Sequence, residues 1–395
     1  MRTSGLIAVG SGPAGLSAAA AFRARHPKLP VQILTADPAM PYAKPPLSKD
    51  FLCGRGAALD LHSPEWFDQR GIELIRGLTV DHIDVAQREV VTRAGRRYPY
   101  WHLVLAPGAR PVPLDIPGAA NALALRSLGD AVAIRMSALQ ARSAIVIGGG
   151  LIGCEAAACL AGSGIVTTMV AGEPVPLYRR FGLDAGERIA KLLTDCGVRF
   201  VGPARVTEVH DDGVTLDSGA RLEGDLVVAA TGVRPDARLA IEAGIATQQF
   251  GRASRIVVDR RMHTSAPNVF AAGDVALAYN VTARRAIPTE HWRDAADQGE
   301  IAGSSAAGYP MAWGAVPGFF CSIGDVRLKY RGWGLPYDRA HLVEHRDGFT
   351  VRYEAGGEPV GVLCLNADED YRAAGEKLRN APAPPVRGVA SATSL

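Results

Sequence analysis

The sequence predicts an α/β chain made of two parallel-sheet units in series, closed by a smaller α+β domain. Three observations carry that prediction. A short apolar strand, a glycine turn and an Ala-rich helix occur in that order twice. Another apolar strand follows each of the two helices. After about residue 317 the texture changes to short alternating segments separated by glycine turns.

The first unit opens with Leu6-Ile7-Ala8-Val9, turns through Gly10, Gly12 and Gly15, enters a helix to about residue 25, and continues into a strand at 31–34. The second opens with Ala144-Ile145-Val146-Ile147, turns through Gly148, Gly150 and Gly153, enters a helix to about 162, and continues into a strand at 166–170. Short strands at 88–92 and 102–105, and again at 205–209, 213–216 and 226–229, have the pattern of β-meanders set on an open sheet. Segments 326–330, 340–344, 349–353 and 359–363 then alternate as antiparallel strands, and a helix is expected over 368–378. The last residues carry Pro382, Pro384 and Pro385 without periodicity, which predicts a disordered tail over 381–395.

The three glycines of each turn have separate tasks. Gly10 permits a tight reversal after the strand, Gly12 lets backbone N–H groups approach a pyrophosphate, and Gly15 lets helix and strand pack closely. Pro13 and Ala14 complete the turn, and the helix N-terminus behind it presents partial positive charge to an anion. Asp37 closes the next strand, where a carboxylate accepts hydrogen bonds from a ribose. Gly148, Gly150, Leu151, Ile152 and Gly153 repeat the arrangement, so the chain carries two Rossmann-like dinucleotide-binding domains. The second strand ends in Ala171 where an acid would be expected; Glu173 follows two residues later, then Arg179 and Arg180. An acid there would favour NAD and an arginine could meet the 2′-phosphate of NADP, so the nucleotide preference stays open.

Bulk properties narrow the partners. Basic and acidic residues nearly balance at a net charge of +3, which gives no reason to expect nucleic acid. No apolar run reaches the about 20 residues that a membrane helix needs. The first apolar run leads directly into a glycine turn, so it is expected to be a strand and not a signal peptide, and a cytoplasmic location is expected. The six cysteines are scattered without a C-x-x-C pair; buried thiols are expected for all six, with no metal site.

Four further segments resemble the FAD-dependent pyridine nucleotide oxidoreductases, specifically the ferredoxin and rubredoxin reductase group that includes putidaredoxin reductase-like members. They are the run from Pro41 through Lys44 and Pro45-Pro46-Leu47-Ser48 to Lys49, the turn Ala106-Pro107-Gly108-Ala109-Arg110-Pro111, the pair Thr264-Ser265 with Asn268 to Gly273-Asp274, and Glu290-His291-Trp292 with Gln298-Gly299. The resemblance implies a glutathione reductase-like fold: an FAD-binding domain split over 1–112 and 236–316, an NAD(P)-binding domain at 113–235, and a C-terminal interface domain at 317–380. It implies FAD as cofactor and NADH or NADPH as substrate, with hydride passing to the flavin and electrons on to an iron–sulfur ferredoxin. The acceptor system would be an oxygenase such as a cytochrome P450. A two-electron reductase of a quinone, and an apoptosis-inducing-factor-like assembly protein, stay as alternatives, as do monomer and homodimer.

By the same resemblance Lys44, Ala106, Gly108, Arg110, Gly232, Gly273, Glu290, His291 and Trp292 join the cofactor-binding set. Asp274 would meet the ribityl chain. Lys49 would stand near flavin N5, paired with Glu155 in a catalytic or a structural role. Disulfide reductases of the family carry two cysteines where this chain has Lys49, and Cys53 falls beyond that place. No thiol is therefore expected to take electrons from the flavin. Phe320-Cys321-Ser322 departs from the Trp and Asp of many members, which puts flavin-edge contacts there in doubt.

Overall fold

The protein is described from a computed structural model, which covers residues 5–56, 58–251, 253–334 and 336–380. The tail expected from 381 lies outside the described residues.

Two five-stranded parallel sheets organise the chain. The first runs in the order Val269–Ala271, His102–Leu105, Leu6–Val9, Val31–Leu34, Ile72–Ile75. The second runs Val198–Val201, Val166–Val170, Ser143–Ile147, Leu226–Ala229, Leu123–Ala124. In each, the strand that feeds the glycine turn lies at the centre, paired in parallel on both edges: Leu6 with Val31 and His102, Ala144 with Thr167 and Leu226. All four residues of Leu6–Val9 are buried, as expected of a parallel strand covered on both faces. Two three-stranded antiparallel sheets are set beside the parallel ones, Val80–Asp84 with Glu89–Thr92 and Arg97–Pro99, and Val206–His210 with Gly213–Leu216 and Arg221–Glu223. Of the strands expected to form meanders, 102–105 and 226–229 belong instead to the parallel sheets, where apolar neighbours cover them on both sides. Ala109–Pro111 pairs with Val233–Pro235 where the chain leaves one half and returns to it.

The first glycine helix, Pro13–Arg25, lies against Trp292–Ala306, a helix the sequence reading did not identify. Glycines set their separation. A Cβ at Gly299 would sit 2.1 Å from the Ala14 carbonyl oxygen, and one at Gly303 2.1 Å from that of Ala18. The two backbones therefore meet directly, with no side chain between them.

The C-terminal residues form one antiparallel sheet in the order Gly318–Ile323, Val326–Gly332, Glu358–Leu365, Gly348–Ala355, Arg339–His345, with the helix Asp368–Asn380 following. Its first strand had not been expected. Phe319, Tyr330 and Tyr353 gather around Phe181, which belongs to the helix Tyr178–Asp195 of the second half. That helix is kinked at Gly182, whose φ of 81° suits glycine.

The six cysteines are not all the buried thiols that the sequence predicts. Cys154, Cys321 and Cys364 are buried thiols and Cys196 is a part-exposed one, but Cys53 and Cys159 are joined as a disulfide. Their separation of 106 residues hides the pairing from any local pattern.

Gly303→Ala forces a methyl group into backbone that has no slack. We expect it to destabilise the protein by about 1–3 kcal/mol, the usual range for overpacking, read as a lower urea midpoint. An unchanged midpoint would show that the two helices can separate freely.

Candidate functional site

The three glycines of each turn have the separate structural reasons expected of them. Gly10 has φ 110°, and a Cβ there would sit 2.1 Å from the Ala106 carbonyl oxygen. At Gly15 it would sit 1.9 Å from the Gly10 carbonyl oxygen, so helix and turn touch. Gly12, by contrast, has open space within 4 Å, and as helix N-cap it offers no side chain to the first-turn N–H groups. Those donors remain available to a ligand. Gly148, Gly153 and Gly150 repeat the pattern in turn: 2.3 Å from the Ala230 carbonyl oxygen, 2.1 Å from the Gly148 carbonyl oxygen, and open.

A cavity of about 660 Å³ starts at the first turn. Its wall includes Gly10, Gly12, Pro13, Ala14, Asp37, Lys44, Lys49, Ala106, Gly108 and Arg110, together with Ile152, Glu155, Gly273, Asp274, Glu290, His291 and Trp292. Thus residues from both halves converge on one space. Gly15 stands just behind the wall in its packing role. Gly148, Gly150, Leu151, Gly153 and Gly232 do not line this cavity; they belong to the second turn and to the loop after Leu226–Ala229.

At one end Asp37 is fixed by two donors. Tyr42 donates to it at 2.7 Å, and the backbone N–H of Ala39 at 3.0 Å. The Tyr42 hydroxyl in turn accepts from the N–H of Leu128. Burial, reinforced by the Asp37 carboxylate, pushes the Tyr42 hydroxyl pKa up, so it stays a donor. Midway, Arg126 donates to the Asp274 carboxylate at 3.0 Å and to the Ala109 carbonyl. Burial raises the Asp274 pKa and Arg126 opposes that rise. Lys44 is pulled the other way, lowered by burial and by Arg126. Arg255 reaches from behind to the Asp274 carbonyl and the Glu290 carboxylate.

At the other end Lys49 donates to Glu155 at 2.7 Å and to the Pro45 carbonyl at 2.8 Å. Glu155 is 6% exposed, yet its carboxylate is fully engaged, because Ser48 and the backbone N–H of Ser322 also donate to it. His291 accepts from Arg180 through Nε2 at 3.2 Å and stacks on Phe319 at 4.3 Å. Burial and the Arg180 cation push its pKa down to about 3, so it is a neutral acceptor and no proton donor at physiological pH.

Arg180, weighed in the sequence as a 2′-phosphate ligand, turns inward instead, over the Phe319 ring at 4.5 Å. Arg179 pairs with Glu173 at 2.8 Å on the outside. Arg126, Arg255 and Tyr42 were missed as site residues. Arg126 directly precedes the capping box of Ser127 and Asp130, but no local pattern marks its bond to a carboxylate 148 positions away. Phe320 stands 48% exposed and, like Cys321 and Ser322, does not line the cavity; Ser322 meets Glu155 through its backbone.

A cavity lined by an open glycine turn, the Asp37 carboxylate and a mixture of apolar and charged groups has the donors and acceptors that a flavin dinucleotide would need. Comparisons with known proteins agree. Residues 5–299 match the family model described as pyridine nucleotide-disulphide oxidoreductase. The chain is 30% identical to a rubredoxin-NAD(+) reductase of Pseudomonas putida over 88% of its length and 91% of that protein. It is 31% identical to a ferredoxin–NAD(P)(+) reductase of Sphingomonas sp., covering 93% and 90%. Its fold superimposes with a TM-score of 0.89 on a putidaredoxin reductase in covalent complex with putidaredoxin, at 28% identity, covering 96% of this chain and 94% of that one.

A buried carboxyl lies two residues beyond Trp292, on the same helix. Asp294 is 3% exposed, its Oδ2 has no partner among the described residues, and burial raises its pKa to about 7. A carboxyl with a raised folded pKa binds more protons folded than unfolded. Its contribution to stability is therefore full below about pH 4 and is lost as pH rises through 7. We expect Asp294→Asn to flatten that stretch of the stability–pH curve; parallel curves would show that the group does not titrate there.

Proposed function

The chain belongs to the pyridine nucleotide-disulphide oxidoreductase family, and from that premise we propose that it is an FAD-containing NAD(P)H–ferredoxin reductase. The observation that carries the reading is the single cavity that joins the first glycine turn and Asp37 to the Lys49–Glu155 pair. When bound, FAD supplies the hydride-accepting and electron-passing chemistry, and the protein supplies binding, orientation and electrostatics.

In this reading the Gly12 turn and the helix behind it hold the pyrophosphate, and Asp37 holds the adenosine ribose. Asp274, kept in place by Arg126, faces the ribityl chain. Lys49 places a cation beside the isoalloxazine, where negative charge grows on reduction, and Glu155 keeps that cation oriented. Gly148, Gly150, Leu151, Ile152 and Gly153, with Gly232, would direct the nicotinamide nucleotide towards the same face. His291, held neutral, shapes the wall there. The proposed acceptor is an iron–sulfur protein, the kind of partner that the names of a rubredoxin and a ferredoxin reductase carry. A cytoplasmic setting belongs to the same proposal; no helix among the described residues is long and apolar enough to cross a membrane.

The decisive experiment is anaerobic: the purified protein is mixed with NADH or NADPH and an oxidised ferredoxin, and ferredoxin bleaching is followed. Rapid bleaching with at least one nucleotide is expected; a flavin that reduces but passes nothing on would exclude this acceptor class. Lys49→Ala should keep FAD bound and slow flavin reduction by about 10²-fold or more, the range for losing one electrostatic donor. Unchanged reduction kinetics would leave Lys49 a structural role only.

A further inference from the structure

We propose that Cys53 and Cys159 form a second redox site: a dithiol–disulfide couple that exchanges with low-molecular-weight thiols and controls how firmly Lys49 is held. Their Cα atoms are 5.5 Å apart, within the about 4.4–6.8 Å that a bridge requires. Each cysteine stands four residues beyond a member of the ion pair, Cys53 after Lys49 and Cys159 after Glu155. Glu155 and Cys159 share the helix Leu151–Gly162, so the two cross-links lie side by side, about one helical turn apart. The backbone joins them as well, since the N–H of Cys53 donates to the Lys49 carbonyl at 2.9 Å.

Both sulfurs also have partners suited to the opened form. Cys159 Sγ lies 3.5 Å from the Lys49 carbonyl oxygen, an acceptor that an S–H could use. Cys53 Sγ lies 3.5 Å from the Arg55 guanidinium, a cation that favours a thiolate. A cross-link that served only to hold the fold would need neither. The site is asymmetric too: Cys159 is buried and Cys53 is part-exposed, so solvent thiols reach Cys53 first. Neither cysteine lines the cavity, which places this couple outside the direct path from the flavin.

The chemistry is thiol–disulfide exchange. In oxidation the Cys53 thiolate attacks oxidised glutathione, forms a mixed disulfide and releases one glutathione thiolate. The Cys159 thiolate then displaces the second glutathione and closes the bridge. Two cysteine thiols are oxidised, one glutathione disulfide is reduced to two thiols, and two protons leave the protein. Reduction reverses each step, with the incoming thiolate attacking Cys53 Sγ and Cys159 leaving.

The test uses the FAD-loaded full chain, equilibrated in glutathione buffers of graded ratio, quenched with acid, and mapped by alkylation and mass spectrometry. Cys53 and Cys159 are expected to pass together from alkylated to bridged while Cys154, Cys321 and Cys364 stay alkylatable. Photoreduction of the bound flavin, which needs no nicotinamide nucleotide, should give different midpoint potentials for bridged and opened protein. Flavin reduction by NAD(P)H should be about ten- to a hundredfold faster in the bridged form, the loss that a misplacement on the order of 1 Å brings. Cys53→Ser, or Cys159→Ala if the first folds poorly, should hold FAD and show a single potential in every buffer. The proposal is overturned if no bridge forms in any buffer, or if bridged and opened protein share one potential. The rate measurement rests on the reductase reading above: reduction by nicotinamide in neither state would defeat that reading, while the mapping and the potentials would still decide the redox site.

Discussion

A buried carboxylate has to be satisfied completely, because each unpaired lone pair in a low-dielectric interior carries its full desolvation penalty. Glu155 meets that demand with three donors, and three parts of the chain meet at it. Ser48 and Lys49 come from the segment after the second strand, the helix that carries Glu155 comes from the second half, and the Ser322 N–H comes from the C-terminal sheet. If one of these parts shifts, the carboxylate loses a donor that no water can readily replace. One acidic side chain therefore ties the two halves and the C-terminal sheet together beside the cavity, alongside the aromatic cluster on Phe181. A Met or Leu of similar volume could fill the space, but it would remove the orientation of Lys49 along with the charge.

The rest of the cavity follows the same logic with weaker demands. Arg126 faces Asp274, Arg255 faces Glu290, and Tyr42 faces Asp37, so each anionic group of the wall has its own donor. Lys44 and the free N–H groups behind Gly12 are left with capacity to spare. An internally balanced wall with surplus donors at the glycine turn is one that accepts an anion without rearranging. That is what a tightly held pyrophosphate requires. The close approach of Trp292–Ala306 to Pro13–Arg25 supports this end: a Cβ at Gly273 would sit 3.2 Å from the Ala14 side chain, and Gln298 accepts from the Gly273 N–H at 2.9 Å. The helix pair and the loop that carries Asp274 thus lock together.

The parts of the structure that were legible in the sequence are those whose cause is local. The two glycine turns, the helices 13–25 and 151–162, the strands beside them and most of the C-terminal sheet announce themselves by periodicity and by glycine position. The helices 178–195 and 292–306 were not seen. The first contains Gly182, which breaks its pattern, and the second mixes polar residues with two glycines that serve helix packing. Arg126, Arg255 and the Cys53–Cys159 pair were invisible for another reason: their partners lie far off in sequence, and only the fold brings them together. Lys49 and Glu155 share that difficulty and were identified through family resemblance alone.

The two glycine turns begin alike and end differently, and the difference is physical. Both give their helix an open N-cap glycine and force the same close contacts in the strand and turn. After the first, Asp37 is buttressed by Tyr42 and Ala39 and roofed by the cavity. After the second, Ala171 supplies no carboxylate, and Glu173 is tied to Arg179, which is 66% exposed. A surface ion pair of this kind is worth at most about 1 kcal/mol, so an incoming ribose hydroxyl can displace Arg179 from Glu173, or a phosphate can displace Glu173 from Arg179, at little cost. On the proposed reading, the first turn would retain its dinucleotide, and the second would take a pyrophosphate while leaving the ribose end weakly held. That division suits one dinucleotide that stays through every turnover and another that must leave after each.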